Sequence, residues 1–132
     1  MERINPKLPY VLIAVLSAGI FLNSLHSGFV YDDIGVSEDN YFIRTLHNVP
    51  KLFHKEYFHL SNELSYRPLV TLSYFADWAI WQLNSFGYHL TNVVLHTING
   101  ILLYSLVVRL IRLPSVALLS AVLFSIHPCG TE

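Results

Sequence analysis

Between Leu8 and Tyr31 the chain carries no formal charge, and from Leu8 to Leu25 it is almost continuously apolar. A second uncharged run extends from Tyr88 to Val108. A run of about 20 apolar residues crosses the hydrocarbon core of a bilayer as a helix, because a helix satisfies its own backbone N–H and C=O groups where no water is present. Two such runs among 132 residues leave little sequence for anything else. Charged residues make up 13% of the chain, about half the ~25% of a typical soluble domain. The expected fold class is an all-α membrane protein. It would have about three transmembrane helices and interfacial helices in a large first outer loop. A secretory signal peptide competes for the first run, since Arg3 and Lys7 supply a charged leading region, but no A-x-A cleavage signal follows. The run is therefore read as an uncleaved transmembrane helix over 8–25.

The stretch 26–67 is different. It holds His26, His47, His54 and His59 and most of the charges, and reads as a water-exposed outer loop lying over the membrane. Short helices are plausible over 37–46 and 49–60, the second opened by Pro50, because proline is tolerated in a first helical turn. Pro68 suits the start of another helix over 68–84, where Thr71, Ser73 and Asp77 stand against Leu69, Leu72, Phe75, Trp78, Ile80 and Trp81. Two tryptophans and an acid sit poorly at membrane depth, so this helix is expected at the interface. Asn84-Ser85-Phe86-Gly87 is a turn signal. A second span is expected over 88–109 and a third, short one over 113–127, whose apolar run is only about 21 Å long.

Arg3 and Lys7 flank the first span, and Arg109 and Arg112 flank the second. Under the positive-inside rule both pairs are cytoplasmic. The N-terminus is then cytoplasmic, and the loop from His26 to Gly87 lies outside. The protein is expected in the inner membrane of a bacterium or the endoplasmic reticulum of a eukaryote. A net charge of −1 gives no electrostatic footprint for nucleic acid. The lone Cys129 cannot form an internal disulfide, and no zinc spacing, P-loop, GxGxxG, HExxH or nucleophile elbow occurs.

Four constellations could carry chemistry. Asp32 and Asp33 follow the first span. Adjacent carboxylates there can act as a general base, hold a divalent cation against a phosphate, or mark a solvated edge. Arg67 stands before Pro68, where a guanidinium suits a lipid or sugar phosphate or snorkels to head groups. His89, Asn92, His96 and Asn99 share one helical stripe, either as the polar wall of a pocket or as helix–helix hydrogen bonds. His89 and His96 lie two turns apart, about 10 Å, too far to bind one metal together. His127 and Glu132 close the chain on the outer side, as pocket residues or as an ordinary helix end. The loop histidines His47, His54 and His59 read as interfacial residues rather than ligands.

The order of these pieces is informative. Phe29-Val30-Tyr31-Asp32-Asp33 is followed by Tyr66-Arg67-Pro68-Leu69. Then come Gly87-Tyr88-His89-Leu90-Thr91-Asn92-Val93-Val94-Leu95-His96, Leu123-Phe124-Ser125-Ile126-His127-Pro128 and Thr131-Glu132. The set resembles the N-terminal membrane region of the transmembrane and tetratricopeptide-repeat proteins, a family that contains protein O-mannosyltransferases and bacterial relatives with the GT-C glycosyltransferase fold. The resemblance implies transfer of a mannose-like sugar from a polyprenyl-phosphate donor to an acceptor on the non-cytoplasmic face. In the protein mannosyltransferases that acceptor is a Ser or Thr hydroxyl. It also implies membrane lipid and an acceptor protein as partners, Asp32 and Asp33 as the catalytic or metal-associated acids, and Arg67 on the donor phosphate. His89, His127 and Glu132 would border the pocket. Such enzymes have many more spans and end in tetratricopeptide repeats. The chain is thus expected to be the front end of a larger enzyme and inactive by itself. A small membrane scaffold or assembly protein and a transporter fragment are the competing readings.

Overall fold

The computed structural model describes residues 6–30, 34–35, 40–55, 57–61 and 66–127. Every regular element among them is helical. The α-helices are α1 (Leu8–Phe21), α2 (Tyr57–Leu60), α3 (Pro68–Trp81), α4 (Ser85–Ile111) and α5 (Pro114–Ile126), joined in places by 3-10 turns. The chain divides into two compact units, one of Met1–Ser24 with Leu90–Glu132 and the other of Leu25–His89.

In the first unit α1 continues into a 3-10 segment, Leu22–His26. Together they give 19 residues long and apolar enough to cross a membrane, and α4 gives 27. The first pair is about 31 Å long and α4 about 40 Å, against a hydrocarbon core of ~30 Å. A core helix of a soluble protein would be mostly buried, yet only 11% of each apolar window is. Leu12, Val15, Leu102 and Leu106 all face outward. Side chains of this kind on so long a helix require an apolar medium, and the chain is an all-α membrane protein segment. α5, with 13 residues, is the short apolar helix of the unit.

The contacts inside this unit use small residues. Ala117, Ala121 and Ser125 recur every fourth residue on α5 and are fully buried, as are Ile13 and Ser17 on α1. Gly100 on α4 has no room for a side chain: a Cβ there would stand 2.8 Å from Ser125 Oγ and 3.1 Å from Ile13 Cγ2. Small side chains let helix backbones approach in a membrane, where no hydrophobic force drives them together. Tyr104 packs edge-on against Tyr10, with centroids 5.1 Å apart. α4 and α5 are joined at Arg112, whose φ of 60° reverses the chain while its N–H is bonded to Val108 O.

The second unit has a core of its own: Phe42, Ile43, Leu52, Tyr57 and Phe75, with Val49, Tyr74 and Trp78 against it. The stretch expected as a water-exposed loop is thus a packed module. The helix expected over 37–46 is only a 3-10 turn, Tyr41–Arg44, followed by an extended Thr45; residues 37–39 lie outside the described residues. The helix expected over 49–60 is split into a 3-10 segment, Leu46–Phe53, and α2. Pro50 lies inside the first piece rather than opening it. Proline lacks an N–H and its ring crowds the preceding turn, which disfavours a regular α-helix there. Asn40 ties the module's ends by donating to Ser61 O at 3.2 Å and accepting from Phe42 N at 3.0 Å. The turn signal at 84–87 is shorter than expected. α3 is capped by Gln82 at φ 53°, and α4 already begins at Ser85. Asn84 Oδ1 accepts the Phe86 N–H in the first turn of α4.

Candidate functional site

Two of the ordered motifs are fixed within the second unit by identifiable contacts. The segment leading to the paired aspartates is pinned to the start of α4. Ser85 Oγ donates to Ser27 O at 3.1 Å, and the Phe29 ring meets Tyr88 edge-on with centroids 5.2 Å apart. Asp32 follows Phe29 by three residues in sequence; Asp32 and Asp33 themselves lie outside the described residues.

The Tyr66-Arg67-Pro68 motif is held from the other side. Tyr66 lies edge-on to the buried Tyr57 at 5.1 Å. Arg67 O accepts the Thr71 N–H at 3.0 Å and the Thr71 hydroxyl at 3.2 Å. Since the Thr71 proton is used there, the 2.7 Å contact between Tyr57 and Thr71 hydroxyls has Tyr57 as donor. Pro68 supplies the first residue of α3, where a missing N–H costs nothing. The backbone at Arg67 is thus fixed, while its side chain is exposed.

The sequence as a whole is similar to several known proteins. The chain is 31% identical over 137 residues to the mouse protein O-mannosyl-transferase TMTC3, which takes in 100% of this chain and 15% of that protein. It is 31% identical over 124 residues to human protein O-mannosyl-transferase TMTC2, covering 90% of this chain and 15% of that protein. The Caenorhabditis elegans protein O-mannosyl-transferase F38B6.6 is 25% identical over 131 residues, covering 92% and 19%. The chain is thus similar, over 90–100% of its length, to proteins named TMTC protein O-mannosyl-transferases. The resemblance read from the ordered motifs is shown by these whole-chain similarities. The chain spans about 15% of the length of the TMTC3 proteins it matches. No family model matches the sequence, and no solved structure matches the fold.

The remaining expected site residues fall as follows. Arg67 and His89 belong to the second unit and His127 to the first. His127 is exposed, and Glu132 lies outside the described residues. His89 Nε2 is buried and, among the described residues, has no hydrogen-bond partner; the same is true of the Tyr88 hydroxyl. The polar stripe does not face inward as a whole. Asn92 and Asn99 are exposed. Val93 and Gly100, each one residue on, take the buried line instead. His96 does turn inward. Its Nε2 lies 3.2 Å from Ser125 O, and its ring stacks on Phe124 and meets Phe21 edge-on. These contacts make His96 a packing residue between helices.

Sequence reasoning missed one polar centre. Asp77 is 5% exposed on α3. Arg44 places its guanidinium carbon 4.2 Å from the Tyr41 ring centroid and 4.7 Å from that of Trp78, a cation–π geometry. Asp77 is the one acid of an aromatic helix, which was the available signal. Nothing local pointed to Arg44. No group of three or more potential metal ligands occurs among the described residues.

Proposed function

We propose that this chain forms part of a membrane glycosyltransferase that moves a mannose-like sugar from a polyprenyl-phosphate donor to an acceptor hydroxyl, a Ser or Thr of a protein, on the non-cytoplasmic face. The observation that carries this reading is similarity along the whole chain to proteins named protein O-mannosyl-transferases. The geometry supports it, because Ser27 and Phe29, just before the acids, and the Arg67 backbone are each anchored within the second unit. One of Asp32 and Asp33 would take the acceptor's proton as general base. Lipid phosphate is a good leaving group, and Arg67 would stabilise its developing charge. Asp32 and Asp33 are also the residues that would hold a divalent cation against that phosphate. His89, His127 and Glu132 are the further candidates for pocket residues. Cytoplasmic placement of Arg3, Lys7, Arg109 and Arg112 puts the module outside, in the periplasm or the lumen of the endoplasmic reticulum.

The test uses the full-length protein with Asp32→Asn and Asp33→Asn, assayed for transfer from a polyprenyl-phosphate mannose donor to a Ser/Thr peptide. At least one variant is expected to lose transfer by roughly 10²-fold or more, the scale of a lost general base. Unchanged transfer in both would remove the catalytic assignment.

A further inference from the structure

Ser125 is the last residue but one of α5, and its carbonyl is among those at a helix end that have no N–H partner within the helix. The chain does not supply that partner nearby. His127 is extended, so α5 does not continue. Three positions after Ser125 stands Pro128, which has no N–H to return in a 3-10 turn. Among the described residues, the group that meets Ser125 O comes from another helix of the same unit: His96 Nε2 lies 3.2 Å away.

His96 stands near the middle of the 27-residue span α4. At that depth a bare carbonyl has no water to turn to, and neither has an imidazole N–H. Each group satisfies the other. A carbonyl only accepts, so Nε2 is the ring nitrogen that carries the proton. The ring is also aimed. It stacks on Phe124 of α5 at an interplanar angle of 18° and meets Phe21 of α1 edge-on at 84°, so two helices set its plane. Gly100, one turn further along α4, meets the same residue from its other side, since a Cβ there would stand 2.8 Å from Ser125 Oγ. α4 therefore holds Ser125 twice, by its carbonyl and by its side chain. Packing alone would need only a flat ring at position 96, and a phenylalanine would leave Ser125 O bare.

We propose that His96 is a positioning residue: its Nε2–H caps α5 from the neighbouring helix in place of the N–H that Pro128 lacks, and thereby fixes the point at which the chain leaves α5 at His127. The cap depends only on the helix bundle. Its bearing on sugar transfer rests on the transferase reading, in which His127 is a pocket candidate.

The experiment uses full-length protein in lipid nanodiscs, on a cysteine-free background that includes Cys129→Ser. A nitroxide label is attached through His127→Cys, and a control label through Leu119→Cys, an exposed position earlier on α5. Each is combined with His96→Gln, His96→Asn and His96→Leu. The glutamine amide nitrogen is as many bonds from the backbone as imidazole Nε2, whereas the asparagine amide nitrogen is one bond short. The immobilised component of the His127→Cys EPR spectrum is expected to persist with His96→Gln and to be lost with His96→Asn and His96→Leu. The Leu119→Cys spectrum should not change. An unchanged His127→Cys spectrum in His96→Asn and His96→Leu would overturn the proposal, as would His96→Gln behaving like His96→Leu. Loss of immobilisation at both labels would show general loosening of the bundle and overturn it equally. Should His96→Asn and His96→Leu not fold, 15N NMR of histidine-labelled parent protein decides: the resonance absent from His96→Gln must show a proton on Nε2, and a bare Nε2 refutes the cap. Sugar transfer is not read, so failure here is separable from failure of the transferase assignment.

Discussion

Gly87 shows how the turn before the second span constrains sequence. Its φ is not positive, so conformation alone does not demand glycine. Space does. A Cβ at Gly87 would overlap Trp81 Cγ and Cδ2 and stand 2.6 Å from Trp81 Cβ. A flexible side-chain tip could swing away, but no side-chain rotation moves a Cβ. The α3–α4 turn itself would have to open. Gly87→Ala gains about 1 kcal/mol of helix propensity. Overpacking costs typically 1–3 kcal/mol, and rigid overlap belongs at the upper end. A net loss of about 1–2 kcal/mol is expected. The assay is denaturant unfolding of the solubilised full-length protein, followed by limited proteolysis within the second unit. Trp81→Ala removes two of the three overlapped atoms, so the double variant should be less destabilised than the sum of the singles by at least ~0.5 kcal/mol, a coupling typical of residues in contact. If Gly87→Ala is as stable as the parent, or the two changes simply add, the steric account is wrong.

Two further outcomes rest on buried contacts. Gly100→Ala should loosen the packing of α1, α4 and α5, because its Cβ would crowd Ser125 Oγ and Ile13 Cγ2; Ser125→Ala should restore part of the loss, read as thermal stability in detergent. Tyr57→Phe and Thr71→Val each remove the buried 2.7 Å hydroxyl–hydroxyl contact and should each cost about 1 kcal/mol in the same unfolding assay.

The spans were legible because hydropathy is local: a run such as Leu8–Leu25 declares its medium without reference to any partner. The ordered motifs were legible as a family pattern for a related reason, since residue identity and order survive in the sequence. Their anchoring was not. Ser85 bonds to Ser27 O across 58 positions, and Asn40 to Ser61 O across 21. Neither pairing leaves a periodic trace. The 3-10 character of Leu46–Phe53 was hidden as well, because Pro50 can either open a helix or disrupt one.

The polar stripe shows the limit most clearly. Spacing correctly put His89, Asn92, His96 and Asn99 near one line, but periodicity fixes only which residues share a face. Which face turns inward depends on where neighbouring backbones can come close. On α4 that point is Gly100, against Ile13 of α1 and Ser125 of α5. The close approach there rotates the helix so that Val93, Gly100 and Tyr104 are buried and Asn99 is not. A side chain of zero volume therefore sets the orientation, while the four polar ones that drew attention do not. The same logic inverts α3. Thr71 is turned inward onto Tyr57 and Asp77 is buried, and Leu69 and Ile80 are left exposed.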